Sequence, residues 1–173
     1  MTELPGEAKG QWRQMSVADL PPVMAVAEKV HPAFPEDREV FAERLRLYAA
    51  GCLVFHAGED IGGYVVSHPW LAMNPPALNS RLGMLPDHPE TYYVHDVALL
   101  PELRGTGAAA LAVAQVLARA GKEKLTTVSL VAVNESAGFW GRHGFRGIKI
   151  RDAALARRLR DYSNAAAFMV REL

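Results

Sequence analysis

The chain has 173 residues, half of them apolar, and its 19 Lys/Arg are matched by 19 Asp/Glu to give zero net charge. That length fits one domain with a sizeable core, and the neutral balance leaves no global field to draw it to nucleic acid or a membrane surface. A single cysteine excludes a disulfide framework or a zinc cluster. With no signal peptide and no apolar run long enough to span a bilayer, the expected setting is the cytoplasm.

Residues 1–10 are polar, with Pro5 and two glycines, and are expected to be frayed. Trp12 to Val17 alternates as a first strand. Ser16 or Asp19 then caps a helix that runs through Pro21-Pro22 to about Val30. Pro35-Glu36-Asp37 opens a second helix to Ala50, with Val40, Phe41, Leu45 and Tyr48 on one side and Gly51 as its stop. CLVFHAGEDIGGYVVSHPW follows as two strands joined at Gly58-Glu59-Asp60, a hairpin signal. Cys52 lies in the apolar run of the first strand and reads as a core thiol.

Residues 69–90 hold five prolines and no period, which predicts a long irregular loop. Its apolar residues (Trp70, Leu71, Met73, Leu82, Met84) are too many for disorder. It reads equally as a wall over a binding site or as a contact in a homodimer.

Val94 to Gly121, VHDVALLPELRGTGAAALAVAQVLARAG with the residues around it, is the most informative stretch. An apolar strand interrupted by His95 and Asp96 ends at Pro101, which cannot donate to a ladder. Arg104-Gly105-Thr106-Gly107-Ala108-Ala109 then opens a helix of strong helix formers, with Gly121 at the expected C-cap. Free N–H groups and the positive end of a helix dipole suit a phosphate. The mildly basic C-terminal third agrees with that, although a solvated face explains it as well.

Beyond the helix, Leu125 to Val133 is strand-like. Asn134 to His143 is a short helix with Asn134 as cap and Gly144 as stop. Phe145 to Ile150 is a strand, a charged and partly helical connection follows, and AAFMVREL closes the chain as a last strand.

Gly105-x-Gly107-x-x-Ala110 also fits a dinucleotide fingerprint. Against it, Pro101 to Arg104 separates the glycines from their strand, and the next strand ends in Asn134 where an acidic residue is expected. Arg104-x-x-Gly107-x-Ala109 instead resembles the pyrophosphate loop of the GNAT superfamily of acyl-CoA N-acyltransferases. The strand VALLP before it, Asn134 after the next strand, and NESAGFWGRHGF with Ala137, Phe139, Trp140 and Gly144-Phe145 resemble the rest of that family's pattern.

The resemblance implies an α/β (α+β mixed) fold: one GNAT-type domain over residues 1–173, with a central, mostly antiparallel, splayed sheet of six to seven strands and helices on both faces. It implies transfer of an acetyl group from acetyl-CoA to a primary amine of a small molecule or peptide, without a metal. Arg104, Gly105, Thr106, Gly107, Ala108 and Ala109 would cradle the pyrophosphate. Main chain at Val97, Ala98 and Leu99 would hold the pantetheine arm, and an N–H there could stabilise an oxyanion. Asn134, Phe139 and Trp140 would line the cofactor.

For the proton, His95 and Asp96 stand where the family often carries an acid, and histidine as a residue type has an unperturbed pKa near neutrality. Neighbours on a strand face opposite sides, so only one of them is expected to reach the amine. The chain departs from the family at Trp140, where many members carry a tyrosine; an indole does not ionise usefully and reads as a packing wall. Tyr162 is the candidate general acid, with Tyr92 and Tyr93 as alternatives. Two other classes stay open: a non-catalytic acyl-CoA sensor and a nicotinamide-dependent enzyme.

Overall fold

The computed structural model describes residues 10–173; the expectation for residues 1–10 falls almost wholly outside them. Seven strands form one sheet in the order β1-β2-β3-β4-β5-β7-β6. They are β1 (Gln11–Gln14), β2 (Cys52–Ala57), β3 (Asp60–Trp70), β4 (Thr91–Leu99), β5 (Thr127–Ala132), β6 (Arg146–Gly147) and β7 (Ala167–Glu172). Only β4 and β5 pair in parallel; every other pair is antiparallel. This mixed sheet excludes the doubly wound, dinucleotide-binding reading, which needs a mostly parallel sheet.

Helices α1 (Leu20–Val30) and α2 (Arg38–Leu47) cover one face of the sheet. Leu20, Val23, Val26, Phe41 and Leu45 pack there on Cys52, Val54, Tyr64, Val66 and Ala98. Cys52 is fully buried, and burial pushes its thiol up to about 12, as befits a core residue. Helix α3 (Ala108–Lys122) covers the other face, where Ala112, Val113, Val116 and Ala120 meet Val65, Tyr92, Val94, Val128 and Leu130. Two further helices, α4 (Ala137–Arg142) and α5 (Ala153–Tyr162), flank β6 and β7.

Several boundaries differ from the sequence reading. Helix α2 ends at Leu47 and a 3-10 turn over Ala49–Gly51 leads into β2. Pro69 belongs to β3, opposite Tyr92. That is allowed because β2 pairs with β3 no further than Val66, so one edge of β3 is free there. Gly121 lies inside α3; the left-handed residue after this helix is Lys124, at φ 58°. Lys124 N–H and Leu125 N–H bond back to Gly121 and Ala120 oxygens at 3.0 and 3.1 Å, a Schellman closure. Asn134 does not cap α4. It has φ 54°, and Ser136 holds the cap position. Of the strand expected over Phe145–Ile150, only Arg146 and Gly147 join the ladder.

Candidate active site

β4 and β5 pair only over Tyr92–Val94 and Val128–Leu130, then part. The parting leaves a wedge at the centre of the sheet. On its β3 side, β4 stays paired to Leu99, and Leu100 N–H donates to Gly62 O at 2.8 Å. Main-chain direction alternates along an antiparallel strand. Ala98 therefore spends its main-chain groups on β3, while those of Val97 and Leu99 face the wedge. The Ala98 side chain is also turned away, into the α1–α2 layer.

The wedge opens toward the loop that starts α3. A 3-10 turn over Pro101–Leu103 leads to Arg104, and Gly107 is the helix cap. Gly105 and Gly107 sit at φ 77° and 87°, where a side chain is strained, and an ideal Cβ on either would meet no protein atom within 4 Å. The first bond of α3 runs from Leu111 N–H to Gly107 O at 3.1 Å, so Ala109 and Ala110 N–H groups lie outside the helical ladder. Thr106 is used locally, its hydroxyl donating to Leu103 O at 2.6 Å. Ala108 is buried, its carbonyl accepting from Trp12 Nε1 at 2.9 Å.

A cavity of about 410 Å³ runs from this loop along the wedge. Arg104, Ala109, Val97 and Leu99 line one end, Asn134, Phe139 and Trp140 a side, and His31, Glu36, His95, Asp96 and Tyr162 the far end. His95 and Asp96 are neighbours on β4 yet face the same layer. A bulge explains this: Val66 opposes Asp96 and Ser67 opposes Val94, which leaves His95 as an extra residue. Such an insertion breaks the alternation and re-aims side chains. The expectation that only one of the two could face the site is thereby corrected.

Each acquires a separate partner. His95 Nε2 lies 2.7 Å from Glu36 Oε1, and Glu36 Oε2 accepts from Asn79 N–H at 2.9 Å. His31 Nε2 lies 2.8 Å from Asp96 Oδ1, in ion contact although off the ideal hydrogen-bond direction. Tyr64 hydroxyl donates to the other Asp96 oxygen. Burial opposes ionisation of both carboxylates, but the histidines win and both titrate below their usual range. Burial likewise opposes charge on His31. Its hydrogen bond and attraction to Asp96 outweigh that, and its pKa lies above 6.5. His31 also sits at the C-cap of α1, where the helix dipole favours a cation.

Access separates the two histidines. The His95 side chain is 2% exposed and that of His31 15%. With Nε2–H turned to Asp96, His31 keeps its Nδ1 lone pair, which accepts from Asn134 Nδ2 at 3.0 Å. Tyr162 lines the cavity, but its hydroxyl donates to Pro76 O at 2.6 Å. Burial, helped by the nearby Glu36 charge, pushes the Tyr162 phenol up to about 12. Tyr92 and Tyr93, the alternatives, are buried in the sheet, and Tyr92 hydroxyl pairs with Ser67 at 2.8 Å. Trp140 packs edge-on to Phe139 and Phe145, at ring centroids of 5.1 and 5.2 Å.

The sequence model of the acetyltransferase (GNAT) family matches residues 16–145. The chain belongs to this family and is an acyltransferase by descent. No curated protein sequence matches it. Among solved structures, the loading GNATL domain of CurA from Lyngbya majuscula is 14% identical, with a TM-score of 0.78 over 94% of this chain and 98% of that one. The GphF GNAT-like decarboxylase, in complex with isobutyryl-CoA, is 18% identical, with a TM-score of 0.77 over 94% and 98%. The ribosomal-protein-S18-alanine N-acetyltransferase from Escherichia coli is 13% identical, with a TM-score of 0.64 over 94% and 93%. At these identities the likeness is one of fold.

Two site residues escaped the sequence reading. In sequence Glu36 stands in the signal that opens a helix, and His31 just past the end of another. A histidine between two helices, followed by Pro32, is a connector residue of the kind that often carries function. Its partner, Asp96, could not be named without the tertiary fold. Among the described residues, no group of three or more His, Cys, Asp or Glu could hold a metal ion, and no helix is long and apolar enough to cross a membrane.

Proposed function

We propose that the chain is an N-acetyltransferase that places the acetyl group of acetyl-CoA on a primary amine by direct attack, with His31 as general base. The observation that carries the reading is one cavity reaching from Arg104 and Ala109, on either side of the glycines, to a histidine–carboxylate pair across a splayed strand. The open space at Gly105 and Gly107 fits a pyrophosphate, and Arg104 with the Ala109 and Ala110 N–H groups would hold it. Val97 and Leu99 main chain would meet the pantetheine arm, with Phe139 and Trp140 as its wall. When bound, acetyl-CoA supplies an activated acyl group on a thiol leaving group.

Within the chain, Tyr64 holds Asp96, Asp96 holds His31 Nε2–H, and His31 Nδ1 is left to take a proton from the ammonium. This is the arrangement in which a base is oriented by a third group. Asn134 occupies Nδ1 and must yield to the amine, so the two would alternate at one lone pair. Glu36 and His95 position the floor of the site from below. A sensor that binds acyl-CoA without turnover has no use for such a base.

The test combines ligand binding with turnover. Acetyl-CoA at a hundred times its Kd should add about 2.7 kcal/mol of stability, while NAD adds none. Gly107→Val should cost about 1–2 kcal/mol of backbone strain and abolish the acetyl-CoA shift. Stabilisation by NAD alone would sink the reading, and acetyl-CoA binding without turnover of any amine would leave the sensor.

A further inference from the structure

The far end of the cavity is bounded by residues 71–90, which are stitched down on both flanks. On one flank, Asn79 Oδ1 accepts from Asp37 N–H at 2.7 Å, and Asn79 N–H donates to Glu36 at 2.9 Å. Glu43 accepts from Leu82 and Gly83 N–H groups at 2.6 and 3.1 Å, and the buried Arg44 donates to Ser80 O at 2.8 Å. On the other flank, Tyr162 donates to Pro76 O and Arg158 to Pro75 O, at 2.6 and 2.9 Å. Residues 71–90 thus bridge the α1–α2 region to α5 as a roof over this end of the cavity. Leu78 points its side of the roof into the cavity, whereas Met73 and Met84 are exposed.

The charge on the lining is one-sided. It carries the Glu36 and Asp96 carboxylates, and apart from histidine its only cation is Arg104, at the cradle. Arg44 lies beneath, with no exposure, and is paired with Glu43 at 3.0 Å. His31 stands against Asp96 and His95 against Glu36, at 2.8 and 2.7 Å, so each carboxylate already holds a histidine. An acceptor carboxylate would find no lysine or arginine at this end, and both histidines there are already set against carboxylates. Around these charges Val30, Phe34 and Leu78 are apolar.

Building on the acetyltransferase reading, we propose that the acceptor is a small primary amine on an apolar body without a carboxylate, and that amino acids and polypeptide termini are excluded. A polypeptide passing beneath this segment would have to displace the bonds that tie it to both flanks. The volume points the same way, because about 410 Å³ must also hold the acyl arm.

The experiment uses the full chain and matched acceptors: 2-phenylethylamine, pentylamine, phenylalanine, phenylalaninamide and a ten-residue peptide beginning with phenylalanine. Acetylated product is measured by mass, with acetyl-CoA-induced stabilisation measured in parallel. Phenylethylamine should exceed phenylalanine in kcat/KM by about a hundredfold or more, the effect of a carboxylate buried without a partner. Phenylalaninamide should fall between them, and the peptide should not react. Phenylalanine or the peptide reacting as well as phenylethylamine would overturn the proposal, as would acetyl-CoA binding with no turnover of either apolar amine. No acetyl-CoA stabilisation at all would instead overturn the acetyltransferase reading beneath it.

Discussion

His31 Nε2 and Asp96 Oδ1 stand 2.8 Å apart, joining the end of α1 to the bulged segment of β4. The contact has a pH signature. A base acts only when deprotonated, and Asp96 holds the His31 pKa above 6.5 against the effect of burial. The log of kcat/KM should therefore rise with pH through an inflection above 6.5 in the wild type. Asp96→Asn removes the anion and leaves burial unopposed, so the inflection should move down. His31→Gln should abolish it and cost about 10²–10⁴ in kcat/KM. An unchanged pH profile in His31→Gln would show that another group takes the proton.

The same pair contributes to stability with a definite sign. Because the folded pKa of His31 is raised, its contribution is complete below the unfolded value of about 6.5. It is lost as pH rises through the folded value. His31→Gln should therefore lower the Tm more at pH 6 than at pH 9. A larger loss at pH 9 would contradict the ion pair.

Trp140 and Tyr162 make a second test. A phenol near pKa 12 whose hydroxyl is engaged by Pro76 O is poorly matched to a thiolate whose conjugate acid lies near that of cysteine, at about 8.5. Trp140→Phe and Tyr162→Phe should each keep kcat within about tenfold of wild type, below the 10²–10⁴ typical of a lost acid. A thousandfold loss in either variant, with acetyl-CoA binding intact, would make that residue a proton donor or an indispensable part of the reacting geometry.

Two glycines should respond to alanine in opposite directions. A Cβ at Gly51 would sit 2.0 Å from Ser67 O and 2.8 Å from Tyr48 Cδ1, a clash with backbone that cannot be relieved by a side chain. Gly51→Ala should cost roughly 1–3 kcal/mol or more. Gly121 lies inside α3, and a Cβ there meets nothing within 4 Å. Gly121→Ala should stabilise by up to about 1 kcal/mol. Calorimetry on the pair checks both, and a destabilised Gly121→Ala would restore that glycine to the role of helix stop.

Local chemistry explains which parts of the fold were legible. The Gly58 turn, the positive-φ glycines before α3 and the stop at Gly144 each follow from residues that only a turn accommodates. Apolar runs on either side of the Gly58 turn marked β2 and β3. The ends of elements were less legible, because competing stops are settled by packing: Lys124, not Gly121, takes the left-handed position once Leu125 is drawn into the core. Asn134 was misread for a related reason. Its polar side chain suits a cap, but the turn it makes sends that side chain to His31 instead.

The sequence by itself determined the order of elements, the glycine turn from Arg104 to Ala109 and the membership in a family of acyltransferases, since these depend on residues close in the chain. Only the tertiary structure decided which side chains meet around Asp96 and His95. The bulge at His95 exists through its pairing with β3, and no local rule predicts an extra residue in a ladder. That one residue turns His95 and Asp96 to the same face, where Glu36 and His31 reach them from a connection distant in sequence. Strand periodicity reads one strand at a time, whereas charge pairing is set by what the fold brings within about 3 Å.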